Sequence, residues 1–330
     1  MKVIFSGIQP TGCIHIGNYI GAIKQWIYYQ NIYKSIFCVV DLHTLTNVHL
    51  KNTKSIKQRT LETIALYLAC GINSDKSLIF IQSHIKWHTQ LSWVLNCITP
   101  ISWLRRMTQY KTKIQQNSNA FTGLMNYPIL MAADILLYNA TLIPVGEDQK
   151  QHIEFTTKIA MRFNNIFGKT FNIPRSLVPI HGARIMGFDD PSIKMSKSHG
   201  YNNSTHLISL LDTSEQIKKI IMSATTDSNN VLKFSNSSLG IKNLFNIAQS
   251  LSGESIISLE HRFSNKGYYP FKMYIVNLIL NFLTPIKKKY LKIINNKEYI
   301  DNILNKSTIR ANDIAKRTIK KVYNKIGIFY

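Results

Sequence analysis

Lys2-Val3-Ile4-Phe5-Ser6-Gly7-Ile8-Gln9-Pro10-Thr11-Gly12-Cys13-Ile14-His15-Ile16-Gly17-Asn18 stands at the start of the chain, and its reading decides the fold. Val3 to Phe5 is apolar and β-branched, the pattern of a short buried strand. Gly7, Pro10 and Gly12 then make a loop, and a helical pattern runs from about Gly17 to Ile27. Strand, glycine-bearing loop and helix in this order open a doubly wound nucleotide-binding fold. The first N–H groups of such a helix have no partner within it and can meet phosphate oxygens. Glycine lets a ligand approach the backbone without a Cβ in the way. His15 adds an imidazole and Asn18 an amide one turn along. An ordinary turn after a core strand would show the same lone histidine and glycine. What weighs against it is a second polar cluster downstream, Lys194-Met195-Ser196-Lys197-Ser198.

Working outward, Ser35 to Val40 is a second buried strand ending in Asp41-Leu42-His43-Thr44. Lys54 to Cys70 carries Leu61, Ile64, Ala65 and Leu68 on one helical face and stops at Gly71. Ser77 to Gln82 is a third strand, again with a polar end. Three such units predict a parallel sheet with right-handed crossovers. Residues 87 to 110 look helical, and the polar stretch Lys111 to Asn119 reads as a mobile surface loop. Tyr127 to Tyr138 is a nearly all-apolar helix with Asp134 in its middle. Leu142 to Val145 is a strand, and Gly146-Glu147-Asp148-Gln149 leads into a helix ending near Phe163. Phe171 to Met186 looks irregular. Beyond Asn203 helical patterns dominate, at Ser214–Ala224, Gly240–Leu251, Pro270–Leu283 and Ala311–Ile326. The expected organisation is an α/β, Rossmann-like parallel-sheet catalytic domain over 1–202 and an all-helical domain over 203–330, whose last helix is able to pack back on the first.

A chain of 330 residues with 45% hydrophobic residues can bury a sizeable core. No apolar run approaches the ~20 residues of a membrane helix, so no membrane association is expected. Met1-Lys2 runs straight into the first strand, which leaves no room for a leader peptide. The four cysteines, Cys13, Cys38, Cys70 and Cys97, have neither metal nor disulfide spacing. That suits a reducing, cytoplasmic location. The net charge of +23 fits a polyanionic partner, RNA or DNA. Genomic enrichment in Ile, Asn and Lys explains the total equally well. The uneven distribution favours a partner: Thr284 to Lys325 holds 12 lysines and arginines against 3 acids.

Asp134 lies among apolar neighbours, where an unpaired carboxylate is costly. A hydrogen bond within the fold would satisfy it, but one polar anchor with apolar walls is also how small-molecule pockets are built. Gly146-Glu147-Asp148 reads either as a helix cap or as a ligand contact at the sheet edge. The two lysines and two hydroxyls of 194–198, after Asp189-Asp190-Pro191, suit a loop that neutralises charge developing on a pyrophosphate. Alone, such a pentamer would be solvated surface.

Together, Gly7–Asn18 and the pentamer resemble the two signatures of class I aminoacyl-tRNA synthetases. The likeness to the bacterial-type tryptophanyl group extends over Phe5–Pro10, Gly17–Ala22, Met131–Asn139, Pro144–His152, Gly182–Met186 and the pentamer. It weakens toward the last helix but spans essentially the whole chain. The resemblance implies an ATP- and Mg²⁺-using homodimeric ligase that joins L-tryptophan to tRNA(Trp), with 203–330 reading the anticodon. It implies ATP binding by Gln9, Pro10, Thr11, His15, Gly17 and Asn18, with Gly146, Glu147, Asp148 and Ile185 toward the ribose or adenine. Lys194, Met195, Ser196, Lys197 and Ser198 would close on the phosphates, and Lys111 would reach them from a loop. His15, Asn18, Lys111, Lys194 and Lys197 would carry the catalysis. Asp134 would take the indole N–H, and Phe5, Gly7, Val40, His43, Met131, Ile143, Val145 and Gln149 would line or flank the tryptophan. Some positions depart from the pattern: Asn18 stands where many class I members have histidine, His199 where an acid is usual, and Leu42 and Trp103 replace polar or acidic residues. A tyrosine-specific ligase shares these motifs. A decayed RNA-binding protein would not have kept both lysines and Asp134. A nucleotidyltransferase would have no use for a separate basic helical region.

Overall fold

The computed structural model describes residues 2–10, 14–46, 56–116, 121–146, 149–177, 184–196, 204–229 and 231–329. The opening apolar run becomes β1 (Val3–Ile8), and the other two expected strands become β2 (Lys34–Val39) and β3 (Ser77–Ile81). All five residues of β3 and the last five of β2 are buried, so the strands read as continuous apolar runs rather than alternating ones. That is the signature of a sheet covered on both faces. β1 pairs parallel with β2 from Val3↔Lys34 to Ile8↔Val39, and β2 pairs parallel with β3. β4 (Leu142–Pro144) joins the other side of β1 at Ile4↔Leu142, giving the sheet order β3-β2-β1-β4-β5, parallel throughout.

β5 (Arg175–Leu177) lies in the stretch expected to be irregular. Three residues give too little periodicity to see, and pairing with β4 makes the strand. The order reverses between β1 and β4, so their carboxyl ends form the topological switch point where ligands bind in such sheets. Gln9–Pro10 and Val145–Gly146 leave the sheet at these ends.

Helices cover the sheet. The first is a run of three segments, Ile16–Asn18, the π-helical Tyr19–Ile23 and Lys24–Tyr29, here α1. After it come α2 (Ile56–Cys70), α3 (Trp87–Ile98), α4 (Ile101–Arg105), α5 (Thr108–Gln116), α6 (Thr122–Leu136) and α7 (Lys150–Phe167). α5 corrects one expectation: Lys111 sits inside a helix, exposed, rather than in a loop. Polar composition suggested a loop, but glycine and proline, which would break a helix, are absent from 108–116.

The carboxyl-terminal half contains α8 (Ser214–Ser223), α9 (Leu239–Ser252), α10 (Ile256–Phe263), α11 (Tyr268–Ile294) and α12 (Lys297–Ile326). α10 and the first half of α12 go beyond the helices expected from the apolar pattern. No helix among the described residues is long and apolar enough to cross a membrane. The described cysteines, Cys38, Cys70 and Cys97, are not in disulfides.

By packing, the chain falls into two compact units. The first comprises Met1–Thr11, Trp26–Pro179 and Asn296–Tyr330, the second Gly12–Gln25 and Ile180–Asn295. These divisions do not coincide with one cut after residue 202. In the first unit the sheet and α12 share a core. Ala311, Ala315, Ile319 and Val322 lie on one face of α12 and are fully buried there. The Trp87 indole N–H donates to Asn312 Oδ1 (2.7 Å), and the Tyr323 hydroxyl donates to Gln90 Oε1 (3.1 Å). The last helix therefore belongs to the sheet's core, as its apolar stripe requires.

The second unit has a core of Phe245, Phe263 and Phe271 with ring centroids 4.6 and 5.2 Å apart. Thr213 and Gln216 make a reciprocal capping box at the start of α8. Lys272 Nζ donates to the carbonyls of Met222 (3.0 Å) and Ala224 (2.7 Å) near its end.

Candidate active site

In the first unit the apolar helix α6 delivers Asp134 to the polar ends of β2 and β3. Asp134 is 1% exposed. Three side chains donate to its carboxylate: His43 Nε2 to Oδ2 (2.9 Å), and Gln82 Nε2 and His88 Nδ1 to Oδ1 (2.7 Å each). Burial alone would push this carboxyl up. The hydrogen bonds and charge of His43 and His88 outweigh burial and hold it well below the ordinary carboxylate range.

An ionised carboxylate only accepts, so each facing nitrogen carries a proton. Nε2 of His88 lies 2.9 Å from the Tyr138 hydroxyl. Burial raises the Tyr138 phenol well above its usual value, which keeps it protonated. A carboxylate offers roughly four lone-pair positions. The described protein groups take two on Oδ1 and one on Oδ2, which leaves Oδ2 able to accept one further donor.

The other residues expected around a tryptophan lie in this same unit. Phe5, Val40 and Ile143 belong to its buried core, with Met131 and Val145 packed against it. Phe5 stacks on Tyr138 at 5.7 Å, and Gly7 lies directly against Val40. Gln9 Nε2 donates to the His43 carbonyl (3.3 Å), and Pro10 is buried beside it. Gln149 stands at the N-cap of α7, and its backbone N–H bonds the Gly146 carbonyl (3.0 Å). Tyr127 presents its ring edge to His43 at 6.3 Å; its hydroxyl donates to Gln109 (2.9 Å) and meets His152 Nε2 (2.7 Å). Burial pushes that phenol up to about 12. Leu42, one of the departures, donates its backbone N–H to Gln82 Oε1 (3.1 Å). Trp103 lies under the Arg162 guanidinium at 5.9 Å.

Gln82, His88 and Tyr138 are functional candidates that sequence reasoning missed. Gln82 stood in plain view at the carboxyl end of β3. His88 lies one and two turns before Leu91 and Leu95, on a face that must be buried, and a buried imidazole needs polar partners.

The second unit holds the remaining cluster. The backbone around His15 is pinned by Ile16 N–H to the Ile208 carbonyl and Leu210 N–H to the Ile14 carbonyl, each 2.9 Å. His15 is the N-cap of α1 and is 3% exposed. Asn18 Oδ1 accepts from the His15 N–H (3.1 Å), which leaves its amide N–H groups facing outward from that bond. Met195 reaches this turn: a Cβ placed on Gly17 would lie 3.2 Å from its sulfur. Ile185 and Met195 sit on the two legs of a hairpin, joined by the Met195 N–H to Ile185 carbonyl bond (3.1 Å) and by the Met186↔Lys194 bridge. The Lys194 side chain is exposed on it and Ser196 follows half-buried. Thr11, Glu147, Asp148, Lys197, Ser198 and His199 lie outside the described residues.

The chain matches, over residues 2–284, the family of class I tRNA synthetases for W and Y. It is 45% identical to the tryptophan–tRNA ligase of Wolinella succinogenes over 99% of both chains. Among solved structures it is similar to the tryptophanyl-tRNA synthetase of Campylobacter jejuni complexed with ADP and tryptophan, with a TM-score of 0.85 and 34% identity, covering 99% of this chain and 100% of that one. The enzyme of Mycoplasma pneumoniae gives a TM-score of 0.90 at 34% identity, covering 100% of this chain and 98% of that one. A model match over most of the chain and full-length identity at this level show that the chain belongs to the class I tRNA synthetases, in the bacterial-type tryptophanyl family.

Proposed function

We propose that the Asp134 network recognises the indole and that the cluster of His15, Gly17, Asn18 and Lys194–Ser198 handles the phosphates of ATP. The reaction is ligation of tryptophan to its tRNA in two steps. A carboxylate oxygen of tryptophan attacks the α-phosphorus, an O–P bond forms, and the bond to the β-phosphate breaks with loss of pyrophosphate. A hydroxyl of the terminal ribose of tRNA(Trp) then attacks the acyl carbon and AMP leaves. No covalent enzyme intermediate is needed, so the side chains supply position and charge.

The observation that carries the substrate assignment is the buried, ionised Asp134 with one acceptor position left on Oδ2. Tryptophan's side chain offers one N–H donor and no acceptor. Phe5, Val40, Met131, Ile143 and Val145 supply apolar walls, Gly7 a close approach at the strand end, and His43 and Gln149 polar flanks. Gln9, Pro10 and Thr11 after β1, with Gly146, Glu147 and Asp148 after β4 and Ile185, are assigned to the nucleotide. Exposed Lys111 on α5 is assigned to the phosphates. ATP–pyrophosphate exchange with each of the twenty amino acids tests the assignment; exchange with tyrosine and not tryptophan would overturn it.

Mg²⁺ enters as part of the nucleotide substrate. Among the described residues no trio of histidine, cysteine or carboxylate is placed to hold a metal, so phosphate oxygens and water would carry most of its coordination. A cytoplasmic homodimer is inferred from the family, and light scattering of the purified chain tests the dimer.

The helical segment 203–294 is assigned to the tRNA anticodon, and the basic surface of α12 to tRNA phosphates. Lys34, Arg317, Lys320 and Lys321 line a depression of about 550 Å³ in the first unit. Replacing Lys316, Arg317, Lys320 and Lys321 by glutamine is expected to weaken tRNA binding while leaving adenylate formation intact. The slope of log affinity against log salt should flatten by roughly 0.7–0.9 for each phosphate that the protein no longer neutralises. Unchanged affinity and slope would assign this charge to composition alone.

A further inference from the structure

The second unit contains an acid–histidine pair, the histidine buried and the acid half-buried, that the two-step reaction does not call on. His206 is 1% exposed, and its Nδ1 lies 2.6 Å from Asp189 Oδ1. Its Nε2 faces the carbonyl of Lys194 at 3.4 Å. The His206 carbonyl accepts the Phe188 N–H (3.1 Å), so this one residue grips the hairpin 185–195 by backbone and by side chain.

The hairpin itself is well tied. Gly187 N–H donates to the Ile193 carbonyl (2.8 Å), and Asp190 Oδ1 accepts from the backbone and hydroxyl of Ser192 (2.9 and 2.6 Å) at its tip. Asn243 clamps Met186 with two bonds of 2.9 Å. Thr225 bonds the carbonyls of Phe188 (2.9 Å) and Asp189 (2.5 Å).

The ring of His206 lies so close to the hairpin that only glycine fits beneath it. A Cβ on residue 187 would stand 2.3 Å from Cε1 and 2.5 Å from Nδ1 of that ring. Gly187 and His206 are thus matched in shape, and Asp189 and His206 in hydrogen bonding. Nothing about a solvated loop requires either match. All of it converges on Lys194, whose side chain is exposed while its carbonyl is held from below.

We propose that the Asp189–His206 pair is a positioning latch: it fixes the Lys194 carbonyl and so aims the lysine and the Met195–Ser196 backbone at the departing pyrophosphate. The latch rests on the assignment of Lys194–Ser198 to the phosphates of ATP. His206 and Asp189 touch no substrate; they act through the segment they hold. The latch therefore bears on ATP-dependent rate and leaves recognition of the amino acid alone.

The experiment compares His206→Ala, His206→Gln, Asp189→Asn and Gly187→Ala with the unmodified chain in tryptophan-dependent ATP–pyrophosphate exchange. Thermal melting and tryptophan binding by fluorescence are measured on each variant. The latch predicts that kcat falls by about tenfold or more in His206→Ala and Asp189→Asn, with tryptophan affinity within about twofold. His206→Gln, whose amide can still donate to one of the two acceptors, should fall between. Gly187→Ala, which displaces the ring without changing its chemistry, should show the same split.

Lys194→Ala is the control for the underlying assignment. If it loses exchange and the folded His206 variants do not, the latch is wrong and the assignment stands. If Lys194→Ala keeps full exchange, the assignment itself fails. If kcat, tryptophan affinity and melting temperature fall together in every variant, including His206→Gln, the pair is only structural and the latch is overturned.

Discussion

Asp134→Ala should lower tryptophan activation at least tenfold, the factor that corresponds to about 1.4 kcal/mol. A charge-assisted hydrogen bond from the indole N–H to a buried carboxylate is worth roughly 1.5–3 kcal/mol, so one lost bond accounts for the effect. The structure adds a second consequence. Asp134 is the shared acceptor for His43, His88 and Gln82, all buried. Truncation leaves three donors facing an apolar void, and each buried unpaired group costs about 1–3 kcal/mol. The variant should therefore melt several degrees lower as well as activate poorly.

A general loosening would raise the KM values for ATP and tryptophan together, whereas loss of indole recognition falls on tryptophan. Phenylalanine, which has no donor for Oδ2, should be rejected strongly by the unmodified chain. Tyrosine also carries a donor, so the depth of the apolar walls must exclude it. A folded Asp134→Ala chain with full tryptophan activation would remove Asp134 from the site.

The same carboxylate predicts a pH response. Its folded pKa is depressed, so it contributes stability that is present above its unfolded value of about 3.9 and lost as pH falls through the folded value. Across neutral pH the Asp134 contribution is constant, and acid titration followed by circular dichroism should show its loss only in the strongly acidic range.

The strands that decide the architecture were legible because burial on both faces writes them as unbroken apolar runs. Ile4-Phe5, Ile36-Phe37-Cys38-Val39 and Leu78-Ile79-Phe80-Ile81 need no partner to be recognised. β5 needed one, since Arg175-Ser176-Leu177 is a strand only because it pairs with β4. Lys111 was misplaced for a related reason: polarity marks exposure, and an exposed helix is as polar as an exposed loop.

For the site, the sequence could show that Asp134 must have a partner but not that it has three. The partners come from β2's end, β3's end and α3, brought together only by the sheet. The Asp189–His206 pair is another case. Seventeen positions separate the two residues, and neither stands in a recognisable motif. Only the fold shows that a glycine, an acid and a histidine have been fitted to one another beneath Lys194.

Lys197→Ala should depress the rate of ATP–pyrophosphate exchange far more than it weakens ATP binding, and Lys194→Ala should do the same. Negative charge on the pyrophosphate oxygens grows as the bond to the α-phosphorus breaks. A lysine that meets those oxygens mainly at that stage stabilises the transition state and not the bound substrate. Such a residue is seen in kcat, whereas one that merely holds ATP is seen in KM. The geometry around Lys194 suits the first role: its backbone is anchored through the carbonyl, through Met186 and through the buried Met195, while its side chain is exposed. An anchored backbone leaves little ordering to be done at the moment of reaction. Pre-steady-state measurement of adenylate formation, with ATP affinity taken from the concentration dependence, separates the two quantities. A loss of about a hundredfold in rate with ATP affinity within a few-fold is the expected pattern. Equal losses in rate and affinity would show that the lysines only bind ground-state ATP, and catalysis would then have to rest on the His15–Asn18 turn.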